Sequence, residues 1–200
     1  MKKNIIVVGL GGQGVVKLSQ LISKIALTEG YEARMTSQQG MAQREGAVIS
    51  HVRYGDVNTP LVPQKSANYL ISMEAGETLR YKKFLNKNSK ILINSEKIES
   101  IDTARGKGEY PEIEKIHDEI KKQNRNIKLL PAKKIAEKLN LPVAANMYML
   151  GSFIGSQNKL TKETAEKVIE KEFSDIGEDA LNKNIKLFEK GYNFERENEE

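Results

Sequence analysis

The chain has 200 residues, 30% of them charged, a formal net charge of +5 and no cysteine. That length suits one sizeable domain, or a domain with an appended helical segment. The lack of cysteine excludes disulfides, thiol nucleophiles, cysteine-held zinc and cysteine-ligated iron–sulfur clusters within this chain, and the spread positive charge reads as a solvated surface.

Ile5–Val8 is an apolar, β-branched run closed by Gly9, the pattern of a strand buried on both faces. The run is far too short for a signal-peptide core, and nothing approaches a membrane-spanning length. The expectation is a cytoplasmic protein with no membrane segment. After the glycines, Val15, Leu18, Ile22 and Ile25 recur at helical spacing, and Gly30 stands where that helix would stop. Tyr31–Thr36 reads as a second strand and makes the first unit β-α-β. Ala47–Tyr54 (AVISHVRY) is a third strand, with His51 and Arg53 sharing one face.

Tyr69–Met73 is a fourth strand, running into a helix predicted over Glu74–Leu85 with Glu74 and Glu77 in its first turn. KILIN at Lys90–Asn94 is a fifth strand, a helix follows over Pro111–Lys122, and Ile127–Leu130 is a further short strand. From Pro142 onward the pattern is helical. Val143–Ile154 is apolar nearly all round, Thr161–Phe173 is amphipathic, and Asn182–Lys190 precedes the polar tail ERENEE. The alternation predicts an α/β fold of three layers: a mostly parallel sheet, a Rossmann-like start and a helical C-terminal segment. The expected division is an α/β core over 1–141 and the helical segment over 142–200.

Residues 4–14, NIIVVGLGGQG, place Gly9, Gly11 and Gly14 in the spacing G-x-G-x-x-G. Three readings fit that spacing: a dinucleotide cradle at a helix N-terminus, a bare structural turn, or an anion or backbone site of another kind. The dinucleotide reading asks for an acidic residue at the end of the second strand, where this chain has Thr36-Ser37-Gln38. Glu29 and Glu32 fall near the right count but end the helix and begin the strand. The expected loop turns from a central strand into a helix, with Gly11, Gly12 and Gly14 exposing backbone N–H groups and Gln13 adding an amide.

No catalytic constellation emerges. His51 reads as structural, His117 as solvated surface, and Glu74 and Glu77 as carboxylates that favour a helix dipole. No metal-ligand cluster is apparent, and no basic patch interleaved with aromatics suggests nucleic acid.

Residues 37–55, SQQGMAQREGAVISHVRYG, crowd amides, Arg44 and small residues between two strands. Such a loop at the carboxyl edge of a parallel sheet lies where open α/β sheets bind ligands, although an exposed, self-bonded polar loop fits as well. Together with GLGGQG, the pair Thr59-Pro60, SMEAGETLRY, KILIN, Tyr110-Pro111 and ANMYMLG, this stretch resembles the 2-oxoacid:ferredoxin oxidoreductases. More narrowly, it resembles the small (beta) subunits of the indolepyruvate branch, which correspond to the gamma subunit or third domain of the pyruvate enzymes. Two positions depart from that pattern: Glu45 stands where a glycine is usual, beside Arg44, and Ala67-Asn68 replaces Ala-Asp.

The resemblance covers almost the whole chain and implies one gamma-type domain over 1–200. It implies oxidative decarboxylation of a 2-oxoacid on thiamine diphosphate, electrons leaving through [4Fe–4S] clusters to ferredoxin, and an acyl group passing to coenzyme A. This chain carries no thiamine diphosphate motif and no cysteine, so the resemblance places both cofactors in a larger (alpha) partner subunit and leaves the chain inactive alone. Gly11, Gly12, Gln13, Gly14, Ser37, Gln38 and Arg44 are expected to form one crevice that meets either part of coenzyme A or the partner subunit. Val143–Ile154 is expected to be buried, as a core helix or as an interface helix. Homodimerisation of the isolated chain stays open. The competing functions are an NAD(P)-dependent dehydrogenase, against which the missing ribose acid counts, and a non-catalytic binding module.

Overall fold

The computed structural model describes residues 2–40, 46–96, 112–122 and 124–197. Its strands are β1 (Lys2–Leu10), β2 (Ala33–Gln39), β3 (Ala47–Gly55), β4 (Tyr69–Ser72), β5 (Lys90–Asn94) and β6 (Ile127–Leu130). They form one sheet in the order β2-β3-β1-β4-β5-β6. The pairs β1–β4, β4–β5 and β5–β6 are parallel, whereas β3 runs antiparallel to both β1 and β2. The sheet is therefore mostly parallel, with β3 opposing the rest.

Because side chains alternate along a strand, β1 feeds two cores. Ile5 and Val7 face one side, where Val52, Ile71 and Leu92 meet Leu18 and Ile22 of helix α1 (Val15–Thr28). Ile6 and Val8 face the other, with Ile49, Leu70 and Ile93. That second side is covered by α2 (Ala75–Arg80) and by Ile116 and Ile120 of α3 (Ile113–Lys121). Helices α4 (Ala132–Lys138), α5 (Ala145–Gly155), α6 (Lys162–Glu172) and α7 (Glu178–Glu197) contribute buried residues to the first core, completing three layers. Among the described residues no helix is long and apolar enough to cross a membrane.

Several sequence expectations are corrected. The β1-α1-β2 unit forms, but β3 is inserted between β1 and β2, because all of Val48–Tyr54 is buried and takes a central place in the sheet. The helix expected over Glu74–Leu85 stops at Arg80, and a 3-10 turn over Lys82–Phe84 carries Phe84 and Leu85 into the second core. Helix α4 was not expected, since its buried residues are only Ala132 and Ala136, too small to print an apolar stripe. Helix α7 runs well past Lys190, because Glu195 in the polar tail is buried and pairs with Lys128 of β6. Pro111 and the pair Tyr110-Pro111 lie outside the described residues.

Met147 and Met149 on α5 are both fully buried, so that helix is core and the interface reading of it is overturned. Gly151, Gly155 and Gly191 let α5 and α7 approach backbone to backbone. Val143, in the 3-10 turn before α5, is by contrast 75% exposed.

Candidate functional site

The strand order reverses between β1 and β4. The connection leaving β1 enters α1 on one face, and the connection leaving β4 enters α2 on the other, which opens a crevice beyond their carboxyl ends. A cavity of about 260 Å³ lies there. Gly12 and Gln13 line it from the β1 loop, Met73 from the end of β4, and Asn94 from the end of β5. Lys133 of α4, Pro142, Val143 and Ala145 close the remaining wall.

The glycine loop is held from within. The Leu10 N–H donates to Gln13 Oε1 at 2.9 Å, and the Gln13 N–H donates back to the Leu10 carbonyl at 3.2 Å. That first bond identifies which amide atom is oxygen, since an N–H needs an acceptor. Gln13 Nε2 is left buried, with no acceptor among the described residues. A Cβ on Gly9 would lie 2.7 Å from Gln13 Oε1, so glycine there lets the amide fold back over the strand end. Gly12 adopts φ +90° with open space above it, whereas Gly14 (φ +77°) sits under the Asn146 amide.

The expected site residues do not all converge. Gly12 and Gln13 face the crevice. The Gly11 N–H is already donated to the Gly46 carbonyl at 3.0 Å, so Gly11 ties the loop to the start of β3 rather than offering its donor. Gly14 is the N-cap of α1, packed against Asn146. Ser37 is hydrogen-bonded to Ser50 at 2.7 Å, and Ser50 pairs with Val7, three residues short of the carboxyl end of β1. Gln38 lies on the opposite face of β2 and is exposed, because successive strand residues alternate. Arg44 and Glu45 lie outside the described residues.

Sequence reasoning missed Met73, Asn94 and Lys133. Asn94 is 1% exposed; its Nδ2 donates to the Met73 carbonyl at 3.2 Å and its Oδ1 accepts the Lys133 N–H at 3.3 Å. A buried asparagine closing the apolar run KILIN was the available signal, because asparagine is a poor strand former. Nothing local marked Lys133.

The remaining polar candidates have structural work. His51 Nδ1 accepts the Val62 N–H at 3.2 Å, and burial, with help from Lys83, holds its pKa below the usual range. Arg53, 8% exposed, donates to Asn4 Oδ1 and to the Thr59 and Leu61 carbonyls, which explains the Thr59-Pro60 pair as an anchored loop. Glu74 caps α2 through the Gly76 and Glu77 N–H groups. Burial raises the Glu77 carboxyl above its usual range, opposed by the nearby Arg80. Among the described residues no cluster of three or more His, Asp or Glu side chains is arranged to hold a metal ion.

A dinucleotide fits this geometry poorly. The position beside β1 where the ribose acid would stand belongs to the antiparallel strand β3, and one loop N–H is already taken.

The family profile described as pyruvate ferredoxin/flavodoxin oxidoreductase matches residues 4–194. The chain is 35% identical over 198 residues to indolepyruvate oxidoreductase subunit IorB of Archaeoglobus fulgidus, covering 96% of this chain and 95% of that one. Its fold is shared with the gamma subunit of a keto/oxoacid ferredoxin oxidoreductase from Geobacter sulfurreducens, at a TM-score of 0.70 and 19% identity, over 98% of this chain and 99% of that one. It is also similar to part of a 2-oxoglutarate:ferredoxin oxidoreductase chain from Magnetococcus marinus, solved with 2-oxoglutarate, coenzyme A and succinyl-CoA bound. The TM-score there is 0.78 at 18% identity, and the match spans 98% of this chain but 31% of that one.

Proposed function

The chain belongs to the pyruvate ferredoxin/flavodoxin oxidoreductase family, and we propose that it is the small subunit of a 2-oxoacid:ferredoxin oxidoreductase acting on aryl pyruvates such as indolepyruvate. The observation that carries this reading is the 35% identity to an indolepyruvate oxidoreductase subunit along nearly the whole chain. The residues present do not fit an iron–sulfur cluster, since the chain has no cysteine. The clusters therefore belong to a large (alpha) subunit; thiamine diphosphate is assigned there with them, and this chain is inactive alone. Ferredoxin receives electrons through that subunit, and the assembly works in the cytoplasm.

The chain acts as one gamma-type domain whose carboxyl edge completes the large subunit's site. The crevice fits part of coenzyme A: Gly12 and Lys133 supply hydrogen-bond donors beside the Gln13 side chain, while Met73, Pro142 and Val143 supply an apolar wall. Gly11 and Gly14 shape this loop. Val143, exposed at the rim, meets the large subunit.

Co-expression with the large subunit tests this. The expected result is a brown, iron-containing complex that reduces ferredoxin with indolepyruvate only when coenzyme A is present. A chain that never co-purifies with such a subunit overturns the assignment. A complex that uses 2-oxoglutarate but no aryl pyruvate overturns the substrate.

A further inference from the structure

Among the described residues, Lys133 is the one charged residue lining the crevice, and no carboxylate lines it. Its backbone is fixed: the N–H is held by Asn94 Oδ1, and Asn94 also grips the Met73 carbonyl, so α4 is pinned to the ends of β4 and β5. Its side chain is loose. Nζ stands 3.9 Å from Glu137 Oε1 one turn along the helix, and both side chains are substantially exposed, at 37% and 53%. Such a pair is weak in water and exchanges readily for a better acceptor. Gln13 lines the same crevice, and its buried Nε2 has no acceptor among the described residues.

We propose that Lys133 is the specificity-determining charge of this crevice: it rests against Glu137 when the crevice is empty and turns to an anionic oxygen of the occupant when it is filled. Glu137 thereby competes with the occupant and sets its affinity. Charge-assisted bonds from an ammonium to phosphate oxygen are stronger than the exposed pair they replace. The identification of that oxygen as a coenzyme A phosphate rests on the function proposed above; the competition between Glu137 and an anion does not.

The test is calorimetry on the full chain at low ionic strength, with inorganic pyrophosphate and coenzyme A as separate probes. Both should bind and compete. Lys133→Met should weaken each by about tenfold, and Glu137→Gln, which keeps the shape and removes the competitor, should tighten each about threefold. In the assembled enzyme Lys133→Met should raise KM for coenzyme A. A wild-type chain that binds neither probe, or variants that bind both probes as wild type does, overturns the proposal. Coenzyme A binding that is blind to both substitutions removes Lys133 from the role while leaving the subunit assignment, which co-purification tests separately, intact.

Discussion

Gly151 of α5 and Phe188 of α7 stand so close that a Cβ on the glycine would lie 1.9 Å from the Phe188 carbonyl oxygen. The contact is returned at Gly191, where a Cβ would lie 2.0 Å from the Tyr148 carbonyl. Backbone blocks both positions, so no side chain can rotate aside and the helices must separate. Gly151→Ala is expected to cost about 3 kcal/mol or more, at the upper end of overpacking effects. Urea unfolding should show a lower midpoint with an unchanged slope. A midpoint equal to wild type would mean the seam opens freely.

Arg53 anchors the loop that precedes β4 through Thr59 and Leu61. Arg53→Lys keeps the charge but cannot reach Asn4 and both carbonyls at once. The expected loss is about 1–3 kcal/mol, for acceptors left unmatched around a buried cation. Amide exchange should rise across Thr59–Val62 before it rises in β1; uniform exchange would contradict the anchor.

His51 gives a pH dependence with a defined sign. Its folded pKa is lowered, first by burial and then by Lys83, while the unfolded chain takes up the proton near pH 6.5. The stability it contributes is present above that value and is lost as pH falls through it toward the folded pKa. Glu77 has the opposite sign: its raised pKa makes its contribution fullest below about 4.5 and lost as pH rises through the folded value. Comparing wild type with His51→Asn, whose Oδ1 can accept the Val62 N–H, isolates the first effect. The variant's stability should fall less between pH 7.5 and about 5.5. Parallel curves would rule it out.

Gly12 has room for a side chain but not the backbone for one, with φ +90° and, among the described residues, nothing within 4 Å of a Cβ. Gly12→Val should fold with a loss of about 1–2 kcal/mol and put a branched group into the mouth of the crevice. Thermal melting and turnover of the assembled enzyme measure the two effects. Full turnover in a stably assembled variant would reduce the glycine loop to a turn.

The isolated chain should be colourless and should not bind NAD. Gly11 spends its N–H on Gly46, and β3 occupies the place of the ribose-reading strand. Calorimetry that detects micromolar binding of a nicotinamide cofactor would refute this.

The strand run Ile5–Val8, the helical stripe of α1 and the motifs from GLGGQG to ANMYMLG were legible because each is written in neighbouring residues. Helix α4 was not, because two buried alanines carry too little apolar signal. The length of α7 was hidden as well. Glu195 reads as solvated tail until Lys128 of β6 is placed beside it.

From the sequence alone came the α/β class, the family resemblance and Gly12 and Gln13 as loop residues, since periodicity and glycine spacing act over a few residues. Which residues share the crevice was decided only in three dimensions. The antiparallel insertion of β3 draws Gly11 to Gly46 and separates Ser37 and Gln38 from the site, while the ends of β4 and β5 and the start of α4 bring Met73, Asn94 and Lys133 to Gln13. Those neighbours are set by sheet order and strand register, and neither is written in any local stretch of chain.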